Sequence, residues 1–178
     1  MFNRLKSCLN RFGKDRSGVS AVEFALILPA FAVLFFGSIE VSFLLTVDRK
    51  VTQTASALGD LTARGTTMTE AEMNDIFAAS SAVFAPYDGS TAKMRVTSIK
   101  MMDGETKVTW SRAKNMTAYA KDSAITVPSG LLIDGQSVIL SEVSYDYQST
   151  LGYFLPSAKN LEETFYLRPR RVNEVGIQ

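Results

Sequence analysis

The sequence predicts an α+β fold, a long N-terminal helix and a second helix packed on a small antiparallel sheet. Three observations carry this. Residues 19–47 contain no basic residue and only two acids, Glu23 and Glu40, so the chain begins with a stretch apolar enough to be a helix in lipid. Val47, Val51, Ala55, Leu58 and Thr62 then keep a spacing of three to four residues, which continues the helix with one buried stripe. From Lys93 the period shortens to two and an Asp103-Gly104 turn appears, which marks strands. Helices first and strands after them is the order of an α+β domain.

The first element is an apolar span. Phe24 to Phe36 is unbroken apolar sequence, and Phe24 to Val47 is long enough to cross a bilayer core of roughly 30 Å. Past it, Asp48, Lys50, Gln53 and Ser56 occupy the polar faces of an amphipathic extension. Gly59 is its one weak point and Gly65 its stop signal. From Val19 to Arg64 the helix would be about 69 Å long, with Pro29 the place for a kink. Thr69 and Glu72 form a capping box that starts a second helix over residues 69–85, ending before Pro86. Met73, Ile76, Phe77, Val83 and Phe84 give that helix a packed face, interrupted by Ser80.

Strands follow. Met94–Met101 and Glu105–Ser111 flank Met102-Asp103-Gly104, a hairpin signal. Trp110 reads as a core or sheet-face anchor. Residues 112–129 read as a long polar loop, Ser137–Tyr147 as an alternating strand, and Glu163–Arg168 as another. In the last, Phe165 and Leu167 share one face, and Thr164, Tyr166 and Arg168 the other. The organisation is therefore a leader at 1–18, a transmembrane helix at 19–47, an amphipathic extension at 48–65 and an extracytoplasmic domain at 66–178.

Composition excludes much chemistry. The 178 residues carry 19 basic and 18 acidic side chains, one Cys and no His. A near-zero net charge argues against nucleic acid as a partner. Without His, no His-based triad or Cys–His nucleophile can be assembled, and a lone thiol cannot close a disulfide within the chain. No EF-hand spacing organises Glu142, Asp146, Glu162 and Glu163, so neither a metal nor another cofactor is expected. Gly13-Lys14 lacks the pattern of a phosphate loop. Asn115-Met116-Thr117 matches a glycosylation acceptor that is common by chance. No nucleophile is paired with a base, and no enzyme is expected.

The charge that exists is unevenly placed. Residues 1–18 hold Arg4, Lys6, Arg11, Lys14 and Arg16 against one acid, Asp15. The positive-inside rule keeps that leader in the cytoplasm and sends the C-terminal domain across the membrane. Three readings fit a basic leader before an apolar run. A plain signal anchor needs nothing more. A cleaved secretory signal has a candidate site at Ala30-Phe31-Ala32, but would leave an apolar terminus at Val33. A lipoprotein signal fails, because Cys8 precedes the run.

The third reading turns on Ser17-Gly18-Val19-Ser20-Ala21-Val22-Glu23-Phe24. This stretch resembles the processing site of type IV prepilins, in which a basic leader ends in Gly and Glu is the fifth residue of the mature chain. The wider block from Ser17 to Val41 resembles the N-terminal region of the TadE-like family, minor pilin-like (pseudopilin) proteins of the Tad (tight adherence) type IVb pilus. The resemblance is strongest over about residues 16–63 and weaker in the tail from Phe165 to Arg171. Phe24 stands where major Flp-type pilins have Tyr, and the chain is longer than those pilins; both favour a minor subunit.

The resemblance implies cleavage between Gly18 and Val19 by a prepilin peptidase. It also implies pairing of the Glu23 carboxylate with the new terminal amine of a neighbouring pilin or pseudopilin subunit. A carboxylate at the bilayer centre costs roughly 2.5–3.5 kcal/mol, so one near the end of the span either has such a partner or lies beneath the headgroups. Glu40 falls about 26 Å further on, close to the opposite interface. Arg168, Arg170 and Arg171 read either as a solvated basic strand end or as a contact to a partner subunit or anionic surface. The expected role is that of a minor pseudopilin embedded in membrane lipid and handled by the pilus assembly machinery. The alternative is an uncleaved, single-span signal anchor displaying an extracytoplasmic binding module.

Overall fold

The computed structural model describes residues 17–149, 152 and 159–178. Residues 1–16, with the basic leader side chains, Cys8 and Gly13-Lys14, lie outside the described residues. The chain divides into two units, Met1–Ser42 and Phe43–Gln178, and one helix, α1 (Ser17–Ala63), runs through both.

In the first unit α1 is apolar on every side, and Pro29 lies inside it without ending it. Its large side chains are exposed: Val22 by 61%, Phe24 by 63%, Leu26 by 75% and Leu34 by 69%. Ser38 Oγ donates to the Phe35 carbonyl and Ser42 Oγ to the Ser38 carbonyl, both at 2.8 Å. These hydroxyls are satisfied within the helix and need no water, which suits a segment in lipid.

In the second unit the same helix becomes one-sided. Val47, Val51, Ala55 and Leu58 are fully buried, the spacing of a single stripe. After α1 come β1 (Thr67–Met68), α2 (Glu70–Ala82) and a 3-10 turn (Gly89–Thr91). The strands β2 (Lys93–Met102), β3 (Glu105–Lys114), β4 (Ser137–Tyr147) and β5 (Lys159–Leu167) form an antiparallel sheet in the order β3-β2-β4-β5. A short β6 (Gly176–Ile177) pairs in parallel with β1. The arrangement is the α+β fold that the sequence predicts.

The capping box forms as the sequence requires. Glu72 N donates to Thr69 Oγ1 at 3.2 Å, and Thr69 N to Glu72 Oε2 at 2.8 Å. The helix then buries Met73, Phe77 and Ser80 against the core, while Ile76 and Val83 are half-buried. The β2–β3 hairpin closes on Asp103 and Gly104 with φ of 53° and 79°, the two positive values of a type I′ turn. Thr109 is an extra residue in β3, where the register passes from Ser98↔Trp110 to Ile99↔Val108. Trp110 is a core anchor, and its indole donates to the Val175 carbonyl at 2.7 Å.

Helix α1 meets the sheet at close range. An added Cβ at Gly59 would lie 3.1 Å from Ser141 Cβ and 2.4 Å from Leu167 Cδ1. Four residues earlier, Ser141 Oγ donates to the Ala55 carbonyl at 2.7 Å, a buried bond from sheet to helix. Gly59, which costs helix propensity, is what lets the two layers approach.

Two features depart from the sequence reading. The stretch after β3 is more than a polar loop: Leu132, with Tyr119, Ile125, Val127 and Leu131, covers Ile99, Val138 and Leu140 on the sheet's other face. Arg95 clasps this layer. Its guanidinium forks onto Glu142 at 2.7 and 2.8 Å, lies 3.7 Å from the Tyr119 ring centroid, and donates to the Thr117 carbonyl at 2.9 Å. Burial, then the Glu142 charge, pushes the Tyr119 phenol up. The second departure is the β1–β6 ladder, too short at two residues to carry a periodic signal.

Two outcomes are expected. Gly59→Val should lower unfolding free energy by about 1–3 kcal/mol through overpacking, read by denaturation of the detergent-solubilised chain; an unchanged midpoint would refute the close-contact account. Thr69→Ala should cost about 1 kcal/mol by removing the cap. Hydrogen bonds from the Thr69 amide and hydroxyl hold the Glu72 carboxyl below its ordinary 4.5. A carboxyl lowered on folding stabilises above its unfolded value and loses that contribution as pH falls through the folded one. The gap between wild type and Thr69→Ala should therefore narrow as pH drops below about 4.5.

Candidate functional site

The residues singled out near the start of the chain all lie on α1. Gly18 is its second residue, and a Cβ built there would meet nothing within 4 Å. Neither packing nor a positive φ demands glycine at this place. The Gly18–Val19 peptide lies at the N-terminal end of the described part of α1. Val19 is 52% exposed.

Glu23 is exposed one turn further on, on the same face as Val19. Around and beyond it the helix surface is apolar: Val22, Phe24, Leu26 and Ile27 are each at least half exposed. Among the described residues this is the one helix long and apolar enough to cross a membrane. A helix that is apolar on every side is stable only in lipid or packed among other apolar surfaces, and a carboxylate on it sits where charge is costly. The site thus consists of an exposed glycine, a lone early carboxylate and an apolar helix surface.

Residues 18–59 match the family model of the TadE-like proteins. Over that stretch the chain is TadE-like. The match opens on Gly18 and closes on Gly59, so it holds the whole apolar run and the helix as far as its close approach to the sheet. The tail from Phe165 to Arg171 lies outside it. No curated protein and no solved structure matches the chain significantly.

The basic cluster is dispersed into contacts within the domain. Arg168 Nη2 donates to the Leu131 carbonyl at 3.1 Å. Arg170 pairs with Asp60, which also holds Arg64, and the Arg170 amide donates to the Ala63 carbonyl at 2.9 Å. Arg170 therefore satisfies an orphan carbonyl at the end of α1. Arg171 is exposed. The other acids weighed from sequence are also engaged: Glu142 by Arg95, and Asp146 by Lys93 at 2.8 Å. The Asn115 amide donates to the Ser90 and Ala92 carbonyls, at 2.7 and 2.9 Å.

Two residues of the TadE-like stretch carry roles that spacing did not reveal. Glu40, read from sequence as interfacial, is fully buried. Gly59, read as a weak point, is a contact surface. For Gly59 the signal was present: a glycine retained inside a helix points to packing.

Proposed function

We propose that the chain is a minor pseudopilin of a Tad-type pilus. In this reading it is inserted through α1 with its N-terminus in the cytoplasm, cut after Gly18 by a prepilin peptidase, and assembled with other pilin subunits. The observation that carries it is the TadE-like match, which begins at Gly18 and covers an exposed apolar helix with Glu23 five places on. That match supports a protein associated with the Tad pilus.

The chemistry of each step follows from the residues. Among the described residues nothing demands glycine at 18, which supports an external requirement: a peptidase needs an accessible, extensible bond, and glycine in a helix lowers the cost of unwinding. Cleavage creates an ammonium on Val19. In a bundle of apolar helices, that ammonium and the Glu23 carboxylate of a neighbour compensate each other, and a paired charge in low dielectric fixes the stagger between subunits. The membrane span stores the subunit until assembly exchanges lipid for protein around the same apolar surface. Residues 43–178 supply the surface presented once the helix is packed away. The work is structural and needs no cofactor.

The uncleaved anchor makes different predictions. For the pseudopilin, the intact mass of the membrane-purified chain should lack residues 1–18, and Gly18→Ala should leave the leader attached. A full-length native mass would replace the pseudopilin with an anchored binding module, and a start at Val33 would indicate secretory cleavage. Glu23→Ala should leave cleavage intact but reduce incorporation into pili at least tenfold, since breaking a buried pair costs about 3–5 kcal/mol. Quantitative immunoblotting of sheared pili reads this; normal incorporation would remove the proposed pairing.

A further inference from the structure

The two edges of the β3-β2-β4-β5 sheet differ in how their backbone is used. Along β3 the chain closes its own outer edge. Val108 N donates to the Ser123 carbonyl at 3.0 Å, while Asp122 N and Ile125 N donate to the Val108 and Thr106 carbonyls at 2.8 and 3.2 Å. β5 is the other end of the strand order, and among the described residues no backbone group bonds to its outer edge. It pairs with β4 from Lys159 to Leu167 without a register shift, and no proline interrupts it. An edge without bulge or proline is a template for a further strand.

Beside this edge runs a groove of about 590 Å³, with Gln53, Ser56 and Ala57 of α1 on one wall and Phe165 and Leu167 of β5 on the other. Thr52 Oγ1 donates to Glu163 at 3.3 Å toward one end, and the Asp60–Arg170 pair lies at the other. From Thr52 to Asp60 the helix rises about 12 Å. That length holds two alternate side chains of a strand, which recur about every 6.8 Å. The ends of the groove differ in charge. Among the described residues Glu163 is in no ion pair. Asp60 is shared by two arginines, Arg64 and Arg170, whose side chains are 60% and 59% exposed, so that end is net positive.

We propose that β5 and this groove take an extended segment of another protein as an added antiparallel strand. Its main chain pairs with the free edge, and two alternate apolar side chains enter the groove against Phe165 and Leu167. An acidic residue at its N-terminal end meets Arg170, and a lysine at its C-terminal end meets Glu163. Antiparallel pairs are the more stable per residue, and the opposite charges at the two ends of the groove fix the direction of the incoming segment. Main-chain bonds supply affinity here and the groove supplies selectivity. The inference concerns the second unit alone and holds whether or not the chain is cut after Gly18.

Fluorescence anisotropy with the full chain in detergent tests this, using the labelled, end-capped peptide Asp-Thr-Val-Thr-Val-Thr-Lys. Binding should saturate. The peptide with its end residues exchanged, Lys-Thr-Val-Thr-Val-Thr-Asp, should bind about tenfold more weakly. Adjacent prolines at the centre remove amide donors and should abolish binding. Ser56 is exposed, so Ser56→Trp should fill the groove and abolish binding with the thermal midpoint unchanged. Arg170→Gln keeps the amide bond to the Ala63 carbonyl and should narrow the preference between the two charge orders. Absence of saturable binding, equal binding of the exchanged peptide, or binding that survives the prolines or Ser56→Trp would each overturn the proposal. A stable dimer of the chain that Ser56→Trp disperses would give the edge to a second copy and overturn the choice of occupant.

Discussion

The contact between α1 and the sheet at Gly59 is the constraint on which the second unit depends. A helix normally packs at a distance set by its side chains, 8–10 Å between axes for helix pairs. Here the missing side chain lets the backbone come down onto Ser141 and Leu167, and the Ser141 hydroxyl bonds the Ala55 carbonyl. That bond fixes the rotation of the helix, since only one face can offer Ala55 to the sheet. With rotation fixed, Val47, Val51, Ala55 and Leu58 must all point inward, and Asp60 must face Arg170. The last turn of α1 then receives the Arg170 amide on Ala63, which ties the segment after β5 to the helix end. Trp110 and Val175 close the same layer from the far side through the indole bond.

One continuous helix thus carries two different solvation patterns. From Gly18 to Phe36 it is exposed and apolar; from Val47 to Ala63 it shows one buried stripe and polar flanks. Lipid demands apolarity on every side and no register. A sheet demands one face, small residues where the layers touch, and hydrogen bonds in defined places. This makes the first stretch interchangeable with any apolar environment, bilayer or helix bundle, and that is what the proposed assembly step requires. The second stretch has a single docking solution on its sheet.

Much of this was legible in the sequence because periodicity and turn chemistry are local. The capping box at Thr69 and Glu72, the Asp103-Gly104 turn and the strand Ser137–Tyr147 each state their own geometry within a few residues. What stayed hidden is non-local. Ile125, Val127 and Leu131 are scattered through an irregular segment and become a core only when that segment folds over Val138 and Leu140. The partners of Arg95 lie 22 to 47 residues away, beyond any window of spacing. Glu40 shows the limit from the other side: hydropathy located it near the end of the span, and nothing in its spacing marks it as buried. The roles proposed for Gly18, Val19 and Glu23 rest on their order along the chain. The groove beside Phe165 was not legible in that order, because it is assembled from two segments more than a hundred residues apart.

The extent of the TadE-like match follows the same physics. It runs from Gly18 to Gly59 and stops, although the domain continues for more than a hundred residues. Within the match, particular residues are required: glycine where a Cβ would collide with the sheet, and, in the proposed mechanism, a glycine to cleave and a carboxylate at one distance from it. Beyond the match, a sheet needs only alternation and adequate volume, which many sequences satisfy. In the proposed function the helix must serve lipid, peptidase and neighbour and has little freedom, whereas the domain it carries needs to meet only its own core and whatever it touches. In the proposed function, the separate identity of this subunit resides in residues 66–178, and the part it shares with the TadE-like family model is the helix that builds it in.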